Sequence, residues 1–322
     1  MFTKKRGGRI MGKKGKRAGK TGGGTTAGGK AATKPKQGPG KARRERAAAL
    51  REIQPRVDAL ISKLEEELRD VELFGPLEER EECPICFVPM PLETSEWSHA
   101  PCCGKTLCCA CAITSGAKGH NNCEFCRAPI LRVGIDDEAL CQQLRNRVES
   151  GDAMAMFELA TCYEKGIHGV QKDDIAAIKL LIQAAELGNI EALCDLADKH
   201  LLDKELEVRT TKEQALKLTK EQALKLAKAA AKKGSVRGHE ILGGLEFEKD
   251  NFGTLAQALR HFIHAAIGGN KRSFDILRQT RDQSGVLDQD AFDDIEAKHK
   301  EALALEWSEE RESYEANKNK TS

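Results

Sequence analysis

The chain has 322 residues, a net charge of +2, 4% aromatics and 12 cysteines. That length predicts two or three units, no apolar run reaches the ~18 residues of a membrane helix, and no secretory signal is visible. These features argue against a membrane or secreted protein and predict an intracellular one, nuclear or cytoplasmic, in which clustered cysteines bind metal instead of forming disulfides.

The small net charge conceals an asymmetry. Residues 1–46 carry 16 Lys/Arg and one Glu, a net of +15, which leaves −13 on the remainder. Residues 1–45 are rich in Gly, Lys, Arg and Thr and almost free of apolar side chains, so they cannot offset their ordering entropy. They read as a disordered basic tail, with Met11 as an alternative start. Its clusters KKR and KKGKR fit nuclear import or weak contact with nucleic acid. Gly15–Thr21 (GKRAGKT) lacks the glycine that a phosphate-binding loop would need at Lys14, and is excluded as one.

Residues 55–75 form the next unit, a helix with Pro55 in its first turn and Gly75-Pro76 ending it. Val57, Leu60, Leu64, Leu68 and Val71 recur at three- and four-residue steps and make one apolar stripe. The stripe is expected to pack against the cysteine-rich segment that follows. Self-pairing as a short coiled coil is the alternative.

Residues 82–131 hold nine of the cysteines. Three pairs have Cys-x-x-Cys spacing: Cys83/Cys86, Cys108/Cys111 and Cys123/Cys126. Such a turn aims two thiolates at one metal, and two pairs complete a tetrahedral zinc site. With Cys102 and Cys103 there are eight ligands, enough for two zinc ions. Cys109 is left as a spare.

This order of ligand pairs resembles a RING finger. The resemblance implies that the first and third pairs share one ion and the second and fourth the other. Carried over, Cys83, Cys86, Cys108 and Cys111 hold the first zinc, and Cys102, Cys103, Cys123 and Cys126 the second. Where the usual RING has a histidine ligand after Cys-Gly, this chain has Lys105, which is no zinc ligand. Adjacent residues point in different directions, so seating both Cys102 and Cys103 on one ion is demanding. His99, and after it His120, are the alternatives. RING fingers bind a ubiquitin-conjugating enzyme, and two positions bear on that. Ile85 matches the apolar residue that touches the enzyme, and Arg127 matches the basic residue that bridges to ubiquitin. Glu124 stands where active members often carry proline, and the loop Cys111–Cys123 lacks the usual aromatic, for which Phe125 and Ile113 are partial substitutes.

From Glu149 the chain repeats. Units close at Gly188, Gly234 and Gly269, with alanine pairs four residues earlier at Ala184-Ala185, Ala230-Ala231 and Ala265-Ala266. Ile178, Leu224 and Leu259 lie ten residues before these glycines. Leu159, Leu196, Leu242 and Leu277 lie eight after the opening ones. Small pairs let helices approach closely, and glycine ends a helix. Residues 149–280 thus read as helix-pair repeats. The first unit resembles a SEL-one-like repeat, a relative of the tetratricopeptide repeat, which implies protein–protein interaction. The octapeptide TKEQALKL occurs twice, at Thr211–Leu218 and Thr219–Leu226, and the second copy is in register with the other units. Cys162 and Cys194 read as small core residues. Residues 288–318 read as one polar helix capping the stack.

The fold class is therefore mainly α: a disordered basic tail, a small two-zinc RING-like module, and an α-solenoid of helix-pair repeats. The combination resembles a RING and SEL-one-like repeat family of the kind found in diatoms. It implies a ubiquitin ligase or ligase-like adaptor, with a ubiquitin-conjugating enzyme and a protein or peptide substrate as partners; a non-catalytic scaffold is the alternative. No catalytic triad or carboxylate pair stands out. The repeat face is expected to carry Glu158, Lys165, Asp195, Lys199 and Glu246, a mixed charge suited to a peptide.

Overall fold

The computed structural model describes residues 39–321 apart from 78, 118–121, 131–135, 207–218, 248–251 and 285. Most of the basic tail, Met11, His120 and the first TKEQALKL copy lie outside the described residues. From Arg43 onward the chain forms one compact unit.

Helix α1 spans Pro39–Glu67 and runs through Pro55. The expected start at Pro55 is therefore too late and the expected end too late as well. The reason is visible in the stripe: Ile53, one turn before Val57, is fully buried, while Val71 is 40% exposed. The stripe Ile53, Val57, Leu60, Ile61, Leu64 and Leu68 packs into the same core as Leu181, Ile182, Ala223 and Leu226 of the repeats. Polar contacts fix the same placement. Arg56 pairs with Glu186 at 2.9 Å, Lys225 with Glu65 at 3.4 Å, and Gln222 donates to Asp58 at 2.6 Å. Helix α1 thus belongs to the repeat core. Among the described residues this stripe is buried in the repeat core and has no part in that of the cysteine-rich module, so it is not left for self-pairing.

The cysteine-rich module contains a two-stranded antiparallel sheet, β1 (Trp97–Ala100) and β2 (Lys105–Cys108), followed by α2 (Cys109–Ala117). Its apolar core is small, with Met90, Leu107, Ala110 and buried cysteines.

Helix α3 (Asp137–Glu149) leads into the repeats. They pair α4 (Ala153–Lys165) with α5 (Asp174–Glu186), α6 (Ile190–Leu206) with α7 (Lys220–Lys232), and α8 (Val236–Phe247) with α9 (Phe252–Ile267). Helices α10 (Lys271–Ser284) and α11 (Gln289–Ala304) close the stack against α9. Gly151, Gly188, Gly234 and Gly269 all have φ between +80° and +98°, which ordinary side chains avoid. Each turn is closed by the same bonds. The residue after glycine donates back five residues, as in Asn189 to Ala184 O (2.9 Å), Ser235 to Ala230 O (3.1 Å) and Asn270 to Ala265 O (3.0 Å). That residue also caps the next helix: Asp152, Asn189, Ser235 and Asn270 accept backbone N–H bonds from the first turns of α4, α6, α8 and α10. Leu159, Leu196, Leu242 and Leu277 are buried, as are all six alanines of the pairs. Leu224 is half-buried; Leu226 is the fully buried leucine of its helix.

Charged side chains tie neighbouring units together. Arg237 of α8 lies between Glu191, Asp195 and Asp198 of α6, at 3.1, 2.7 and 2.8 Å. Lys199 of α6 pairs with Glu164 of α4 at 2.7 Å. Burial pushes the Glu158 and Asp195 carboxyls above their ordinary range. The face expected to be free for a peptide therefore spends part of its charge on contacts within the stack.

The expected single helix 288–318 is two helices. α11 ends at Ala304, and α12 (Glu309–Thr321) starts afresh behind Ser308. Ser308 accepts from Arg311 N at 3.2 Å, and its carbonyl accepts from Glu312 N at 3.0 Å. Helix α11 packs at the end of the repeats, with Phe292 and Ile295 in the core shared with α9 and α10. Helix α12 instead packs on α2 of the cysteine-rich module.

Candidate metal centre

Two turns of the same construction begin and end the cysteine-rich module. In the first, Phe87 N donates to Cys83 O at 2.8 Å and Cys83 N donates to Val88 O at 2.9 Å. In the second, Arg127 N donates to Cys123 O at 3.0 Å and Cys123 N donates to Ala128 O at 2.7 Å. Phe87 and Arg127, each just after the second cysteine, take positive φ values of 57° and 63°. Bridges Glu82–Pro89 and Asn122–Pro129 close the two turns identically. The repeated pattern Cys-x-x-Cys-x-x-Pro, at Cys83–Pro89 and Cys123–Pro129, is the sequence signal of this symmetry.

The sheet brings the remaining cysteines to these turns. Strand β2 delivers Cys108 and α2 delivers Cys111 to Cys83 and Cys86. The turn between β1 and β2 delivers Cys102 and Cys103 to Cys123 and Cys126. Within each group the four sulfurs lie within 4.8 Å of one another. Sulfur–sulfur separations of 4.0 Å (Cys86–Cys108), 3.8 Å (Cys103–Cys123) and 3.5 Å (Cys102–Cys126) bracket the ~3.8 Å edge of a tetrahedron with ~2.3 Å zinc–sulfur bonds. The donor set fits a divalent cation in each group. Adjacent Cys102 and Cys103 share a group because Gly104, at φ +76°, turns the chain directly behind them.

The thiols are mutually frustrated without a cation. The hydrogen bond from Cys108 holds Cys83 down to about 4, while the same contact and burial push Cys108 far up. Burial raises Cys111 to about 12. In the second group burial raises Cys102 and Cys103; against that same effect, backbone N–H groups of Cys126 and Phe125 bring Cys123 to about 7. Four thiolates so close cannot ionise together in water alone, whereas a bound cation deprotonates them.

His99 and Cys109 lie outside both groups. His99 sits on β1 with Nδ1 3.3 Å from Thr106 Oγ1, facing Asp152 and Arg147 of the repeats. Cys109 points to Ser95 O at 3.8 Å. Ile85 is half-buried against the module core, which also receives Phe125 and Tyr314 of α12. The Arg127 side chain is 76% exposed, 4.0 Å from Glu124.

The module abuts the repeats. Gly104 lies against the Arg147–Asp152 ion pair with no room for a side chain, and Leu92 lies beside Gly269. Arg80, on the segment before Cys83, pairs with Glu306 and donates to Met90 O at 3.2 Å. Among the described residues no helix is long and apolar enough to cross a membrane.

The Sel1 repeat family matches residues 153–189 and 220–235. These are the α4–α5 pair and the α7 segment, so the second TKEQALKL copy falls inside the family pattern. No curated protein matches the chain. Among solved structures, a Sel1 repeat protein from Oxalobacter formigenes is 22% identical with a TM-score of 0.39, over 52% of this chain and 64% of its own length. A protective antigen of uropathogenic Escherichia coli with an SLR fold is 25% identical with a TM-score of 0.38, over 53% of this chain and 33% of its own. An immunity protein from Pseudomonas aeruginosa is 19% identical with a TM-score of 0.28, over 61% of this chain and 82% of its own. The chain thus spans less than two thirds of the first two. Two segments of the helical stack are thus similar to Sel1 repeats, and the described residues also include two four-cysteine groups that can each hold a metal ion.

Proposed function

We propose that the protein is a zinc-dependent RING-type ubiquitin ligase or ligase-like adaptor, whose repeats recruit a protein or peptide substrate. The observation that carries this reading is the interleaving of the two cysteine groups. The first and third pairs converge, and the second and fourth converge, so each ion would staple the middle of the module to one of its ends. Eight cysteines are Cys83, Cys86, Cys108 and Cys111 for one zinc, and Cys102, Cys103, Cys123 and Cys126 for the other. Ile85 would meet the ubiquitin-conjugating enzyme, and exposed Arg127 would hold ubiquitin in a reactive pose. No covalent intermediate on this chain is needed. The basic tail would direct the protein to the nucleus or contact nucleic acid weakly.

A second reading, a non-catalytic scaffold, is favoured by one contact. Tyr314 packs on the cluster that Ile85 also joins, and Glu124 stands where proline is usual. Autoubiquitination against a panel of conjugating enzymes separates the two. The ligase reading expects transfer by the wild type, abolished by Ile85→Ala or Arg127→Ala with both zinc ions retained. A wild type that binds two zinc ions yet transfers no ubiquitin with any enzyme leaves the scaffold.

A further inference from the structure

Helix α12 reaches the first cysteine group through one cation. The Arg311 guanidinium donates from Nη1 to Glu306 O at 3.0 Å and from Nη2 to Val88 O at 3.3 Å. The same Nη2 lies 4.0 Å from Cys86 Sγ. Its Nε is buried without an acceptor. Among the described residues Arg311 forms no ion pair with a carboxylate. Both oxygens that its guanidinium bonds are neutral carbonyls.

That arrangement leaves a half-buried positive charge that forms no ion pair among the described residues and lies against a sulfur of the cysteine group. A buried charge without a counter-charge is costly. Four thiolates around a divalent cation carry a net charge of −2, and N–H donors to the sulfurs spread that charge. Tyr314, one turn further on, adds an apolar contact to the same core.

We propose that Arg311 is a positioning residue outside the ligand shell of the Cys83/Cys86/Cys108/Cys111 group, and that it couples metal occupancy of that group to docking of α12. The inference rests on the reading of the cysteine groups as metal sites. It adds that the extreme C-terminal helix, more than 180 residues away in sequence, belongs functionally to the first site and not to the second.

The test uses the full chain loaded with zinc. Release of each ion to a chromophoric chelator is timed for the wild type, Arg311→Met and Arg311→Lys, and hydrogen exchange of residues 309–316 is followed before and after chelation. Loss of an outer partner typically weakens metal binding by about 10–100-fold. Arg311→Met is expected to speed release of one ion by about that factor and leave the other unchanged, with Arg311→Lys restoring part of the loss. Residues 309–316 are expected to lose protection when the first ion leaves. A merely structural Arg311 would affect both ions alike and gain nothing from lysine. Unchanged release of both ions from Arg311→Met, with α12 equally protected with and without metal, overturns the coupling while the metal sites stand. A wild type that binds no zinc overturns both. If Arg311→Met does not fold, α12 protection in wild-type chain before and after chelation decides alone.

Discussion

Gly238→Ala sets two physical effects against each other inside α8. By helix propensity, replacing this first-turn glycine with alanine gains at most about 1 kcal/mol. By packing it loses. A Cβ built on Gly238 would stand 2.6 Å from Ala231 N and 3.0 Å from Ala230 C and Cβ. Those atoms belong to the alanine pair of α7 and are mostly backbone, so no side chain can rotate aside. Real Cβ atoms essentially never come within 3.0 Å of such an atom, and the missing distance must come from separating α7 and α8. Overpacking costs about 1–3 kcal/mol, and backbone against backbone sits at the upper end. The net expectation is destabilisation by about 1–2 kcal/mol, or a Tm lower by ~2–8 °C for a unit of this size. Urea and thermal melts followed by helical circular dichroism measure it. Gly243→Ala is the internal comparison. Its Cβ would meet only the Phe262 ring, at 2.6 Å, which can turn, so its cost should be smaller. A Gly238→Ala chain more stable than the wild type would refute the claim that close helix approach at the alanine pair fixes the repeat.

Two further outcomes follow from burial. Ile53→Ala should cost about 2–5 kcal/mol, since Ile53 is fully buried among repeat residues, whereas Val71→Ala at 40% exposure should stay within about 0.5 kcal/mol; equal effects in urea denaturation would remove α1 from the repeat core. Burial, aided by neighbouring histidines, holds His239 at about 3 and His261 at about 4 against Phe74, with their Nδ1 atoms 3.0 Å apart. Between the ordinary histidine value of ~6.5 and those values the unfolded chain binds more protons, so stability should fall as pH drops, by at most ~1.4 kcal/mol per pH unit for each histidine. Urea midpoints from pH 7.5 to 4.5 check it, and His239→Gln should flatten the fall; a variant falling as steeply as the wild type would exclude this pair as the cause.

The repeats were the most legible part of the chain because one physical device recurs. A glycine at positive φ closes each unit, and the small pair behind it permits close packing. The caps after those glycines, Asp152, Asn189, Ser235 and Asn270, were equally readable but lay outside a pattern built on apolar residues and glycine. Helix α1 was located, but its partner was not. A stripe shows that a helix buries one face and says nothing of what covers it, and Pro55 is tolerated because flanking Ile53 and Val57 are both buried. The break at Ser308 carried a local signal, a serine followed by Glu309 and Glu310, which the polar run around it concealed. At the cysteines, spacing identifies thiols but not the role of adjacent ones. Gly104 and the β1–β2 turn decide that Cys102 and Cys103 share a group and that His99 faces the repeats. The contact of Arg311 with the first group is invisible in sequence, since nothing local distinguishes that arginine from its charged neighbours.

The most direct test of the account is the metal content of the purified chain, read by elemental analysis and by cobalt substitution. Two ions per chain are expected, each with the thiolate-to-cobalt absorption of a four-sulfur tetrahedral site. Cys83→Ser and Cys123→Ser should each disrupt one site, while Cys109→Ser should change nothing. One ion per chain, spectra requiring a histidine ligand, or disulfides among these cysteines would contradict the two interleaved four-cysteine centres.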